Sequence, residues 1–124
     1  MVGITSFGGY IPRYRINRGT IFGAMGWFNP VTIAVARGEK SVANYDEDSL
    51  SMAVAAGIDA LNGIGRDKID GIYLASTTLP YKERSCAAIA AAALDLREDV
   101  RVADFTEAVK SGTTATIAAL DAVK

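Results

Sequence analysis

The residues of this 124-residue chain that could do chemistry are few. Its one cysteine, Cys86, follows Lys82 and Arg84 and stands where a helix begins, and cations and a helix N-terminus both favour the reactive thiolate. Its neighbours Ala87, Ala88 and Ile89 instead suit a small buried side chain. Asp46, Glu47 and Asp48 form a run of three carboxylates, but consecutive positions do not converge on one metal ion. The run fits the start of a following helix, whose dipole favours negative charge there. Arg37, Lys40, Lys82 and Arg84 are loop cations of the kind that meet nucleotide phosphates, or that simply face water. There is no histidine, which removes a Ser-His-Asp or Cys-His arrangement, a histidine-ligated zinc and a histidine general base from this chain alone. Gly8-Gly9 and Gly63-Ile64-Gly65 sit in no phosphate-loop or dinucleotide pattern and read as turns. No metal set and no cofactor fingerprint is predicted.

These residues hang on an alternating set of elements. Val2 to Phe7 alternates and predicts a strand, and Asn17 caps a short helix from Arg18 to about Trp27 that Asn29-Pro30 ends. Thr32 to Tyr45 has no clear period and predicts a long loop with short elements. A helix from Ser49 to Leu61 carries the apolar stripe Leu50, Val54, Ile58 and Leu61. A strand over Ile69 to Ala75, a small-residue helix from Ser85 to Leu94 and a strand over Arg101 to Phe105 follow. The last helix, Ala108 to Val123, carries no charge between Ser111 and Leu120, so it is predicted to be the most buried. Strand and helix in alternation give an α/β class with a largely parallel sheet and right-handed crossovers, in one domain over residues 1–124. The uncharged helix and the end at Lys124 without a Gly or Asn cap lead to the expectation of further sequence beyond it.

Half of the residues are apolar and the formal net charge is −1, which fits a compact soluble domain and leaves no field to recruit nucleic acid or an anionic membrane. Neither the Gly-rich start nor the alanine-rich run at Ser85 to Leu94 has the character of a signal peptide or the ~20 apolar residues of a spanning helix. A lone cysteine is compatible with a reducing cytoplasm, the compartment expected here.

Three segments carry a family resemblance. Ile33 to Met52, IAVARGEKSVANYDEDSLSM, resembles the loop and helix start of bacterial hydroxymethylglutaryl-CoA synthases. Tyr73 to Thr78, YLASTT, is similar to a strand end that there reads roughly IVATES. Phe105 to Thr113, FTEAVKSGT, resembles their nucleophile motif, close to Glu-Ala-Cys-Tyr-x-x-Thr, and a similar stretch in ketoacyl synthases of the third type. The three segments are collinear and span essentially the whole chain.

The resemblance implies the N-terminal half of a thiolase-like fold, with a mostly parallel mixed sheet and a buried helix, and with the C-terminal half absent. It implies an acyl-CoA condensing (acyltransferase) parent with a coenzyme A thioester as substrate or ligand and no other cofactor. Arg37 and Lys40 match the segment that lines the CoA channel. The implied partners are the C-terminal half or a partner subunit, and a second copy joined through the strand Arg101 to Phe105.

The chain also departs from that pattern. Val109 stands where the family has its catalytic cysteine, and an alkyl group forms no acyl-thioester. Thr77 stands where the family has its acid/base glutamate, and its hydroxyl does not titrate near neutrality. The family's histidine belongs to the C-terminal half. Ser111, Thr113 and Cys86 are the remaining substitutes for a nucleophile, with Thr77 beside them. The alternative is a non-catalytic thiolase-like subunit that binds acyl-CoA or scaffolds a partner.

Overall fold

The computed structural model describes residues 2–106 and 108–124. The chain forms two compact units: one made of the N-terminal segment to Tyr10 with Asp48–Lys124, the other of Ile11–Glu47.

The larger unit is built on a parallel pair of strands, β3 (Gly71–Ala75) and β4 (Arg101–Phe105), in the register Gly71 opposite Arg101 to Ala75 opposite Phe105. Both are rich in the apolar and aromatic residues that suit a covered sheet, and Tyr73 and Phe105 touch across it at 5.6 Å between ring centroids. Three helices accompany the pair: α2 (Ser49–Ala60), α3 (Cys86–Ala93) and α4 (Ser111–Ala122). The core joins Leu50 of α2, Leu74 of β3 and Cys86, Ala87 and Ala90 of α3. Among the described residues, Cys86 is the largest side chain that is fully buried.

Each helix start has a local cause. Asp48 opens α2 with a capping box: its Oδ1 accepts the Ser51 N–H at 2.7 Å, and the Ser51 hydroxyl accepts the Asp48 N–H at 2.9 Å. Of the three carboxylates, Asp48 therefore serves the helix through a specific cap. Glu47 reaches back instead, to the Asn44 N–H at 2.7 Å. Ser85 caps α3 by accepting the Ala88 N–H. The stripe on α2 is only partly buried, because at 3.6 residues per turn Ile58 drifts by about 80° from Leu50 while Leu61 returns to about 20°. Leu50 is buried, Val54 and Leu61 are half-buried and Ile58 is exposed.

Two sequence expectations need correction. The deepest helix is α3, with Cys86, Ala87, Ala90 and Ala91 buried, whereas α4 buries only Ser111 and Ala115. A two-stranded sheet offers α4 one face to pack on, so Gly112, Thr113, Thr116 and Ala119 stay exposed and Ala118 is half-buried. α3 instead lies against α2 as well as both strands. Val2 to Phe7 is not a strand: among the described residues no strand pairs with it to complete a ladder. The segment is tied to the end of α2 instead: the Ser6 hydroxyl donates to the Ala60 carbonyl at 2.7 Å and the Gly9 N–H donates to Asp59 Oδ2 at 3.0 Å. Between them Gly8 passes so close to Ala56 O and Ala60 N that a Cβ would overlap both.

The second unit pairs β1 (Tyr14–Asn17) with β2 (Glu39–Val42) in antiparallel register, Ile16 opposite Lys40. This ribbon was not legible as strands. Asn17 caps α1 (Arg18–Met25) by accepting the Gly19 N–H at 2.8 Å. A 3₁₀ turn follows over Pro30–Val35. The Arg18 N–H donates to Gly38 O at 2.9 Å, and Gly38 itself has φ +72°, a left-handed turn that suits glycine. Among the described residues of this unit no apolar side chain is buried, and Trp27, Phe28 and Tyr45 are 80%, 74% and 97% exposed. Among the described residues of the chain, no helix is long and apolar enough to cross a membrane.

Candidate functional site

Two of the sequence-predicted positions leave the same edge of the larger unit. Parallel strands release their loops at their carboxyl ends, where open α/β sheets bind ligands. The ladder runs past Ala75 and Phe105 through a Ser76 N–H to Phe105 O bond of 3.1 Å. Thr77 follows one residue later, and Val109 lies four residues after β4, just ahead of α4. Thr77 is exposed in a hydroxyl-rich turn, where the Thr78 N–H donates to Ser76 Oγ at 3.1 Å and the Ser49 hydroxyl donates to Thr78 O at 2.7 Å. Val109 is 100% exposed. Glu107, which belongs to the same motif, lies outside the described residues.

A cavity of about 440 Å3 opens at this edge, lined by Asp104, Phe105, Thr106, Lys110, Ser111 and Thr114 among others. Among the described residues, its ionisable groups are Asp104 and Lys110. Ser111 is 5% exposed and its hydroxyl donates to Ala108 O at 2.6 Å. Thr113 is exposed on the next turn face. Attack by either hydroxyl needs a base, and the chain brings no histidine to supply one.

Asp104 is the residue that sequence reasoning passed over. Its Oδ2 accepts the Cys86 N–H at 2.8 Å and its Oδ1 accepts the Ala87 N–H at 2.7 Å, so β4 closes the N-terminus of α3. The only signal was a carboxylate inside an otherwise apolar strand end. Cys86 is 0% exposed, its thiol directed at Tyr81 O at 3.9 Å, while Lys82 and Arg84 are exposed. The small-residue reading of Cys86 therefore matches its surroundings better than a reactive thiolate does.

The loop cations separate. Arg37 and Lys40 both lie in the smaller unit, but Lys40 lines a groove together with Arg18, and Arg37 does not. Arg18 was not singled out from sequence, since nothing local distinguishes it from any first-turn cation. Among the described residues, no group of three or more histidine, cysteine, aspartate or glutamate side chains could hold a metal ion.

Solved structures give the fold a class. Cerulenin-bound OleA from Xanthomonas campestris aligns with a TM-score of 0.84 at 17% identity, over 97% of this chain and 38% of that one. MvaS in complex with 3-hydroxy-3-methylglutaryl coenzyme A aligns at 0.82 and 21% identity, over 98% and 30%. The fold is thiolase-like. No family model matches the sequence. Curated relatives do, and they are named hydroxymethylglutaryl-CoA synthase. The one from Methanopyrus kandleri is 38% identical over 92% of this chain, and the one from Methanobrevibacter smithii 40% over 91%. The chain has a thiolase-like fold and is similar in sequence to hydroxymethylglutaryl-CoA synthases, and it spans about a third of the length of those relatives, 33% and 34%.

Proposed function

We propose that the chain is the N-terminal portion of a hydroxymethylglutaryl-CoA synthase-like acyl-CoA condensing (acyltransferase) protein, and that it contributes CoA binding without the usual nucleophile. The observation that carries this is the 38–40% identity to hydroxymethylglutaryl-CoA synthases over more than nine-tenths of the chain. The MvaS neighbour, which holds 3-hydroxy-3-methylglutaryl coenzyme A, supports a CoA thioester as the ligand. In this reading Val109 and Thr77 replace the catalytic cysteine and glutamate, no further cofactor takes part, and the protein works in the cytoplasm. A C-terminal half or partner subunit completes the fold, and copies pair through β4.

Exposed Arg37 and Lys40 are the phosphate contacts of this reading. A charge-assisted bond to a partly shielded phosphate contributes about 1.5–3 kcal/mol. Arg37→Ala should therefore weaken CoA binding about tenfold or more in calorimetric titration. An unchanged dissociation constant would refute the assignment.

The second reading is a non-catalytic acyl-CoA-binding or scaffold subunit. It is favoured by the exposed alkyl group of Val109 and by the Ser111 hydroxyl already bonded to Ala108 O. Acyl-enzyme formation separates the two.

A further inference from the structure

The smaller unit carries a groove that shares Lys40 with the CoA reading but not Arg37. It measures about 420 Å3, within the roughly 300–1,000 Å3 of small-molecule sites. Ile21, Phe22 and Met25 of α1 line it together with Phe28, Thr32 and Val35 of the following segment. Ile21 and Phe22 are half-buried, and Met25 and Phe28 are 56% and 74% exposed. Among the described residues, the charged ones that line it are Arg18 and Lys40, and none is a carboxylate. Arg18 is fixed there by its backbone: it opens α1 and its N–H donates to Gly38 O at 2.9 Å. Its Nε makes only a long 3.4 Å bond to Glu39 O. Lys40 sits on β2 opposite Ile16.

An apolar trough with two cations and no anion is complementary to a molecule with an apolar body and an anionic head. We infer that this groove binds a small amphiphilic anion, its hydrocarbon against Phe22, Met25 and Phe28 and its carboxylate or phosphate on Arg18 and Lys40. Arg37 stands outside the groove, so this site and the Arg37 contact are separable. Both sources of such a head group, a free acid and the phosphates of CoA, share this chemistry.

Trp27 is the chain's single tryptophan and packs edge-on to Phe28 at 5.9 Å, so its fluorescence reports on the groove wall. Titration of the chain with sodium octanoate should give a saturable change, weakened about tenfold or more by Arg18→Ala and largely retained by Arg18→Lys. Octanol, which lacks the charge, should bind correspondingly more weakly, and Arg37→Ala should leave the octanoate titration unchanged. Circular dichroism of each variant checks folding. Absence of a saturable change at millimolar octanoate would overturn the inference. So would octanol binding as well as octanoate with no effect of Arg18→Ala, which marks a face that another protein surface covers. CoA competing with octanoate in an Arg18-dependent manner identifies CoA as the source of the anion. CoA binding that depends on Arg37 alone identifies a free acid. Loss of the CoA reading through an unchanged Arg37→Ala leaves the octanoate arm to decide this site by itself.

Discussion

The Oδ2 of Asp104 accepts the backbone N–H of Cys86 at 2.8 Å, across 18 positions of sequence. With Oδ1 on Ala87 and Ser85 Oγ on Ala88, the first three N–H groups of α3 are satisfied. That matters because α3 is the deepest helix of the larger unit, where water is not at hand to bond those groups in their place.

Replacing Asp104 should therefore cost more than its half-buried position suggests. Asp104→Ala strips acceptors from two N–H groups beside a fully buried Cys86, at about 1–3 kcal/mol. Asp104→Asn keeps one carbonyl oxygen and should lose less. Urea unfolding measures both, and equal midpoints for Asp104→Ala and the parent would show that the cap does not hold α3 in place.

A second cap predicts a pH effect. The Ser51 backbone N–H holds the Asp48 carboxyl below its ordinary value, against a smaller opposing effect of burial. A carboxylate whose folded pKa is lowered adds stability that is fully present above its unfolded pKa and disappears as pH falls through the folded value. Asp48 is exposed, so the pH-linked part is small and salt-screened. Asp48→Ala should cost about 1 kcal/mol at neutral pH as a lost N-cap. Asp48→Asn keeps an acceptor and should lose only the acid-side slope. Thermal melts between neutrality and pH 3 test this, and a slope unchanged in Asp48→Asn would place the titration elsewhere.

How far the sequence could be read follows from what each signal depends on. Asn17 and Asp48 act on backbone groups two or three residues away and each marked the start of its helix, whereas Ser85, read as the first residue of α3, is its cap. The β3 and β4 ranges were legible because a run such as Ile72-Tyr73-Leu74-Ala75 needs cover in any context. The errors arose where burial depends on distant partners. An uncharged α4 and an alternating Val2 to Phe7 announce surfaces that can be covered, but the sequence does not say whether a neighbour is there. Asp104 and Arg18 were missed for the related reason that their partners, Cys86 and the Lys40 of a shared groove, come from other elements.

The chemistry itself gives the last prediction: incubated with acetyl-CoA, this chain should form no stable acyl-enzyme. The thiol it owns is 0% exposed, starts α3 and is directed at Tyr81 O, so neither an acyl donor nor an alkylating reagent has a path to it. Iodoacetamide should leave Cys86 unmodified in the folded chain and label it fully in denaturant. The hydroxyl nearest the start of α4, that of Ser111, is buried and bonded to Ala108 O, and Val109 beside it offers only an alkyl group. The chain has no histidine, and among the described residues that line the cavity proton removal from Ser111 or Thr113 would fall to the Asp104 carboxylate, already bonded to two N–H groups, or to the Lys110 amine. Intact mass after incubation reads the outcome directly. An acetyl adduct abolished by Cys86→Ser would show that α3 opens to admit substrate, whereas an adduct that survives this change and maps to Ser111 or Thr113 would restore a nucleophile at the head of α4 and exclude the non-catalytic reading.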